Sequence, residues 1–482
     1  MKLFIAFLFT FLSVVLWSQP IISWEEEIFV TQTNEFGNTR PRICLTAQDI
    51  PLVVFGKASS GLLYTARLVG SLFNTPLPLL PDNMTSYLTT WTGPDVASNG
   101  DTVIVVFKAQ PIDFGKVYSL RSLDGGLTFS DTIRVDNHPL GHAWLPSLDI
   151  DENSNPSVVY MAHDLNGMNP TYNVVHSINK GLTYENEMEI TLAIPQEACD
   201  CCPAEYVING NQHALLYRNN DANIRDIYAV YSDDDGANYS SYVNVNDLNW
   251  ALNSCPSTGP HGIFNNGNLL TASASAASGK YRAYLSETVT SPSLVLQSQT
   301  MMTPPGNTNG AQNYPRISGK NDTIVLIWQE SSPSNNDIFS GITVSGSIQE
   351  LVDSKAIVND STLGSQSNPD IIYANGKIHC VFQDAISGKV IYKRGILSMN
   401  SISQIPNQDI IVFPNPLSTS LTIKSNLLTT SYTIYNVLGE IVQTGVLTSL
   451  QTEVNLSALP NGTYQLIIGK DQLKSFQIIK NN

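Results

Sequence analysis

The sequence predicts an all-β protein, a seven-bladed β-propeller (six blades being the alternative count) followed by a small C-terminal β-sandwich. Three observations predict it. A proline-led phrase recurs seven times, a short turn motif recurs at a fixed phase within it, and from Asp409 the chain shifts to a compact strand-and-turn texture. A period of this length marks stacked supersecondary units.

The phrases are "RPRICLTAQDIPLVVFG", "GPDVASNGDTVIVVFK", "LPSLDIDENSNPSVVYMA", "CPAEYVINGNQHALLYR", "GPHGIFNNGNLLTASAS", "YPRISGKNDTIVLIWQ" and "NPDIIYANGKIHCVFQ". Their prolines, Pro41, Pro94, Pro146, Pro203, Pro260, Pro315 and Pro369, are spaced by 53, 52, 57, 57, 55 and 54 residues. Each phrase reads as two strands joined by a polar turn. The turn motif is "RSLDGGLTFS", "HSINKGLTYEN" and "YSDDDGANYSS", whose Asp124, Asn179 and Asp234 fall 30, 33 and 31 residues after their prolines. Four short antiparallel strands per unit, repeated radially, bury both faces of every sheet and make a propeller blade. The seventh unit has room for three strands, so "EEEIFVTQ" (Glu25–Gln32) is expected to supply the fourth and close the ring.

Composition narrows the function. With 42% hydrophobic and 14% charged residues the chain is an ordinary folded protein, and a net charge of −16 with 25 Lys and Arg excludes nucleic acid as a partner. Residues 1–18, "MKLFIAFLFTFLSVVLWS", read as a secretory signal peptide, and nothing downstream is long enough for a transmembrane span. The expected organisation is signal peptide 1–18, propeller 19–405 and tail 406–482, in a compartment where cysteines oxidise.

The turn motif, with Ser122, Asp124 and Gly126, then Ser177, Asn179 and Gly181, then Ser232, Asp234 and Gly236, resembles the Asp box of sialidase-type (BNR-repeat) propellers. That resemblance implies a structural staple between the third and fourth strands, on the face opposite the active site. The tail, through Pro414, Asn415, Pro416, Tyr435, Asn436, Gly439, Leu459, Pro460, Gly462, Tyr464 and Lys480, resembles the type A C-terminal sorting domain of the type IX secretion system of Bacteroidota. It implies that the secretion machinery is a partner and that the protein passes the periplasm to be released or attached at the outer-membrane surface.

Loops leading into the innermost strands and loops joining strands two and three open on one face of a propeller, so candidate site residues gather there. Catalytic candidates are Glu205, Tyr314, Glu330 and Asp164, and ligand-binding candidates are Arg42, Arg218, Arg225, Arg316, Trp144 and Trp250. The arginines suit a carboxylate, and Tyr314 with Glu205 or Glu330 mimics a nucleophile pair. A sialidase-type exo-glycosidase is an open reading, but Arg42 and Ile43 are followed by Cys44 where that family has Pro, and no Asp lies between Asp49 and Asp82 to serve as acid. Cys199, Cys201 and Cys202 in "ACDCCPAEY" face Cys255 on the next loop. Disulfides bridging the loops are the plain reading; a copper(I) or zinc site with His261, or a redox centre, are the others, although the two C-x-x-C pairs of a standard zinc site are lacking. The expected ligand is an extracellular glycan or protein, and binder and enzyme both remain open.

Overall fold

The computed structural model describes residues 21–31, 40–112, 114–137, 142–164, 168–191, 194, 196–303, 310–331, 335–398, 410–425, 430–469 and 474–481. The expected signal peptide and His138, on the loop into the third blade, lie outside them. The chain divides into two compact units, residues 1–399 and 400–482; the expected boundary at 405/406 also lies outside the described residues.

The first unit holds seven antiparallel sheets in chain order. Their innermost strands are Arg42–Thr46, Asp95–Asn99, His142–Ile150, Glu205–Asn209, His261–Asn265, Gln312–Lys320 and Gln366–Ala374. Each touches the next, and the seventh touches the first, so the seven sheets form one closed ring. Second strands are buried at every position in Thr102–Lys108 and Pro156–His163, because a sheet sandwiched between two blades has no solvent face. This is why these strands read as unbroken apolar runs rather than alternating ones.

The ring closes as a strand exchange. Lys389–Ser398 pairs with Ile21–Trp24 and with Ile28–Phe29. The second of these lies in the segment the sequence nominated; the first is four residues that it missed. Glu25 between them makes paired hydrogen bonds with Arg394 at 2.9 Å each.

The three repeated turns share one bonding scheme. In the first, the Gly126 amide donates to Ser122 Oγ at 2.8 Å, and Asp124 Oδ1 accepts from the Thr128 amide at 3.0 Å. Gly181 and Gly236 repeat the first bond to Ser177 and Ser232, and Thr183 and Asn238 repeat the second to Asn179 and Asp234. Gly126, Gly181 and Gly236 have φ of 82°, 73° and 77°, which a side chain would strain. Burial raises the Asp124 carboxyl, but hydrogen bonds from the Thr128 hydroxyl and amide and the Ser122 hydroxyl together outweigh it and bring Asp124 down to about 2. The carboxylate is thus occupied within its own turn.

The repeat prolines sit at the inner edge of each blade. An innermost strand has no ladder partner on its axial side, so a missing N–H costs nothing there. In blades three, six and seven the residue before the proline, Leu145, Tyr314 or Asn368, has φ near 50° and marks a bulge that turns the chain toward the axis.

The second unit has a three-stranded sheet (Ile411–Phe413, Ser420–Lys424, Gln451–Asn455) and a four-stranded one (Ile441–Val446, Ser431–Tyr435, Gly462–Ile468, Lys474–Lys480). Leu421, Ile423, Ile434, Val454, Leu466 and Ile478 fill its core. The sequence motif residues hold turns: Asn415 accepts from the Ile479 amide at 2.9 Å, and the Tyr464 hydroxyl donates to the Pro460 carbonyl at 2.7 Å.

Candidate functional site

The residue after the repeat proline is polar in six of the seven blades, Ala204 being the exception, and these side chains link neighbouring blades. Asp370 accepts from the Ile43 amide at 3.0 Å, Asp95 from the Leu148 amide at 3.1 Å, and His261 Nδ1 from the Ile317 amide at 3.1 Å. Ser147 accepts from the Tyr206 amide at 3.2 Å. Neighbouring innermost strands flare too far apart to pair by backbone alone, and these side chains satisfy amides that would otherwise be orphaned.

Two arginines in this ring are ion-paired. Arg316 lies 3.2 Å from Glu205 and 3.4 Å from Asp370, and Arg42 lies 3.8 Å from Asp95. His261 Nε2 is 3.2 Å from the other Glu205 oxygen. Burial, and then Arg316 and Arg42, hold His261 well below its ordinary pKa, so it is neutral. With Nδ1 accepting from Ile317, its proton sits on Nε2 and is donated to Glu205. Burial pushes Glu205 up to about 8, against the pull of Arg316, and pushes Asp149 up to about 7.

Above the ring lies a narrow cavity of about 40 Å³ lined by Arg40, Arg42, Arg316, Trp91, Tyr314 and Glu205, with five of the repeat prolines also in its lining. Arg40 is 7% exposed, donates to the Trp91 carbonyl, and lies 5.3 Å from the centre of the Tyr314 ring. Among the described residues no carboxylate pairs with Arg40, and nothing accepts from its Nε. Burial first, and then the neighbouring Arg42 and Arg316, pull its pKa well below the ordinary guanidinium value. Three guanidinium groups thus converge on one cavity, and one of them has no carboxylate partner among the described residues.

Beside this cavity, the loops into blades four and five are joined by a disulfide between Cys201 and Cys255, with Cα atoms 6.2 Å apart. Cys199 and Cys202 are fully buried free thiols. The sulfurs of Cys199, Cys201 and Cys202 lie within 4.8 Å of one another. Hydrogen bonding from Cys202 brings Cys199 down to about 7, and Arg225 and Arg218 add to it.

The sequence candidates divide sharply. Arg42, Arg316, Tyr314 and Glu205 share the cavity. Arg218 does not: its guanidinium is spent on the carbonyls of Thr258, Arg225 and Ala274, under Trp250 at 5.1 Å. Reading it as a ligand-binding arginine is corrected to a buried frame residue. Trp250 is 5% exposed and stacks edge-on with Tyr281, which likewise removes it from the ligand surface. Arg225 is buried toward the cysteines, and Trp144 does not line the cavity but packs edge-on behind Trp91 at 6.4 Å. Glu330 is held by Lys355, Gln312 and Trp328, and Asp164 caps its own loop through Met168 and Asn169, so neither faces the cavity. Cys201 and Cys255, being joined, are not two thiolate ligands in this state, and His261 faces Glu205 rather than the sulfurs. The sequence reading missed Arg40, one residue before the first repeat proline, and the ring itself; reading the residue after each proline in register shows Arg42, Asp95, Ser147, His261, Arg316 and Asp370 together, with Ala204 as the apolar seventh.

Residues 411–481 match the family described as secretion system C-terminal sorting domain. No curated protein matches the chain in sequence. Among solved structures the chain is similar to a protein of unknown function from Dyadobacter fermentans, at 11% identity, covering 78% of this chain and 99% of that one, with a TM-score of 0.47. It is also similar to the NanB sialidase of Streptococcus pneumoniae (9% identity, 64% and 68% covered, TM-score 0.45). A third is the α-L-arabinofuranosidase arb93a of Fusarium graminearum (11% identity, 78% and 98% covered, TM-score 0.43).

Proposed function

We propose that this chain, which ends in a secretion-system sorting domain, is an extracellular propeller that binds acidic glycan by taking the carboxylate of a sugar acid into the cavity at Arg40, Arg42 and Arg316. The observation that carries the reading is Arg40, a buried cavity-lining guanidinium without a carboxylate partner among the described residues. Desolvating a cation without a counter-ion is costly, and an anion in the cavity relieves that cost at Arg40. Trp91 and Tyr314 supply ring faces beside it, of the kind that pack against sugars. The repeated turns, read as Asp boxes, hold the opposite end. Residues 1–18 and 406–482 act as the inward and outward export signals, taking the protein through the periplasm to the surface. A chain lacking Phe413–Asn482 is expected to stay in the periplasm on cell fractionation, and normal surface display of it would refute the role of the tail.

The binding test is calorimetric titration of the purified chain with N-acetylneuraminate, glucuronate and neutral galactose. Binding of at least one acid with no response to galactose is expected, with Arg40→Gln weakening it about tenfold or more. Equal response to acid and neutral sugar, or full affinity in Arg40→Gln, would overturn the reading.

Glu205 favours a second reading, hydrolysis. It lines the same cavity and holds its proton to about pH 8, as a general acid requires. The Tyr314 hydroxyl makes no hydrogen bond to it, so the nucleophile pair is not assembled here. Release of a fluorescent aglycone from an N-acetylneuraminate conjugate, abolished in Glu205→Gln, would move the protein from binder to sialidase-type enzyme.

A further inference from the structure

The four sulfurs beside the cavity are arranged for more than a bridge. Cys201–Cys255 already joins the two loops, which also meet closely elsewhere: a Cβ on Gly259 would lie 2.1 Å from the Pro203 carbonyl oxygen. A structural disulfide needs no further thiol, yet Cys199 Sγ lies 3.6 Å from Cys201 Sγ, at sulfur–sulfur contact distance. Cys202 stands three residues from Cys199, so the two form a C-x-x-C pair. Cys255, at the other end of the bridge, is exposed, while Cys199 and Cys202 are shut away from solvent. Arg225 is 6% exposed, is turned toward these thiols, and has no acceptor for its Nη1 among the described residues.

We propose that Cys199, Cys201, Cys202 and Cys255 form a thiol–disulfide exchange centre in which Cys199 attacks the bridge from inside and Cys255 is the surface thiol that it releases. The Cys199 thiolate attacks Cys201 Sγ; the Cys199–Cys201 bond forms, the Cys201–Cys255 bond breaks, and the electron pair leaves on Cys255 sulfur. The proton given up by Cys199 passes to water or to the departing Cys255. A second exchange, Cys202 on Cys199, gives a Cys199–Cys202 disulfide and frees Cys201. Each step exchanges one disulfide for another, so no external oxidant or reductant is consumed. The freed Cys255 thiolate then attacks the disulfide of an extracellular polypeptide or small molecule, forming a mixed disulfide and expelling that molecule's other thiolate. Arg225 supplies the positive charge that a buried thiolate needs.

The test is alkylation of the native full chain with iodoacetamide, without reductant, followed by peptide mapping under non-reducing conditions. The expected result is carbamidomethyl on Cys255, with Cys199 linked to Cys201 or Cys202. Cys199→Ser should lower Cys255 labelling about tenfold or more and leave Cys201–Cys255 as the linkage. Wild-type chain in which Cys255 stays unlabelled overturns the proposal, and this result needs no variant to fold. Equal labelling in Cys199→Ser overturns it as well, as does purified chain with Cys201 and Cys255 both reduced around a bound metal ion.

Discussion

At one end of the propeller, Ser122, Asp124 and Thr128 close a turn among residues two to four positions apart; at the other, Arg316 reaches Glu205 across 111 residues and the Ile43 amide reaches Asp370 across 327. Alternation of strand direction sets this division. Turns joining strands one to two and three to four emerge together, so the Gly125 amide donates to the Asp101 carbonyl at 2.9 Å. Loops into strand one meet loops joining strands two and three, so the Cys199 amide donates to the Arg218 carbonyl at 2.8 Å. Each of the three repeated turns thus closes on itself, with Asp124, Asn179 and Asp234 occupied by groups of their own turn. The cavity end holds charges that are balanced only when distant blades come together, and among the described residues it keeps one guanidinium without a carboxylate. A ligand finds electrostatic demand at the second end.

The comparison breaks most visibly at Arg316. Arg316→Met leaves Asp370 buried without its cation and takes a donor from Glu205, and about 3 to 5 kcal/mol of stability is expected to go, read by urea or thermal unfolding. A loss below about 1 kcal/mol would show that the ring does not hold the blades together.

Next comes the pH profile. Glu205 titrates at about 8 when folded against 4.5 ordinarily, and Asp149 at about 7 against 3.8. Between those values the folded chain holds protons that the unfolded chain releases, so the stability these two groups contribute is full below about pH 4 and declines as the pH rises toward 8. Glu205→Gln removes its share, and the decline should shrink by about 2 to 4 kcal/mol. An identical pH profile for the variant would contradict the burial of a protonated carboxyl.

Smaller effects are expected at the turn end. Gly126→Ala imposes a side chain at φ 82° with its Cβ 1.9 Å from Leu52 Cδ1, and about 1 to 3 kcal/mol is expected to be lost. Gly100→Ala, at φ 58° with no atom within 4 Å of its Cβ, isolates the backbone part and should cost about 1 kcal/mol. Equal losses at the two glycines would mean that contact with Leu52 is irrelevant. Neither substitution should alter ligand affinity, and a change in affinity would show that the two ends are coupled.

The same contrast explains what the sequence revealed. The turn motif is local, so its Ser, Asp or Asn, and Gly recur visibly at fixed spacing, and the seven prolines mark blades because each stands where an inner edge needs no N–H. The link between the Cys triplet and Cys255 followed from that register, but which of the three cysteines pairs is decided by side-chain direction at one loop. Arg42 and Arg316 were found because they follow repeat prolines; Arg40 precedes one and has no equivalent in the other phrases. Arg218 misled because it ends a strand whose charged tip turns inward to three carbonyls, which spacing does not disclose.

The most direct measurement of the central claim is a crystal structure of the chain grown with the sugar acid that binds best in titration. The account predicts its carboxylate in the cavity, within about 3 Å of guanidinium nitrogens of Arg40 and at least one of Arg42 and Arg316. An acid bound at the turn end, or a cavity left without it at saturating ligand, would contradict the account.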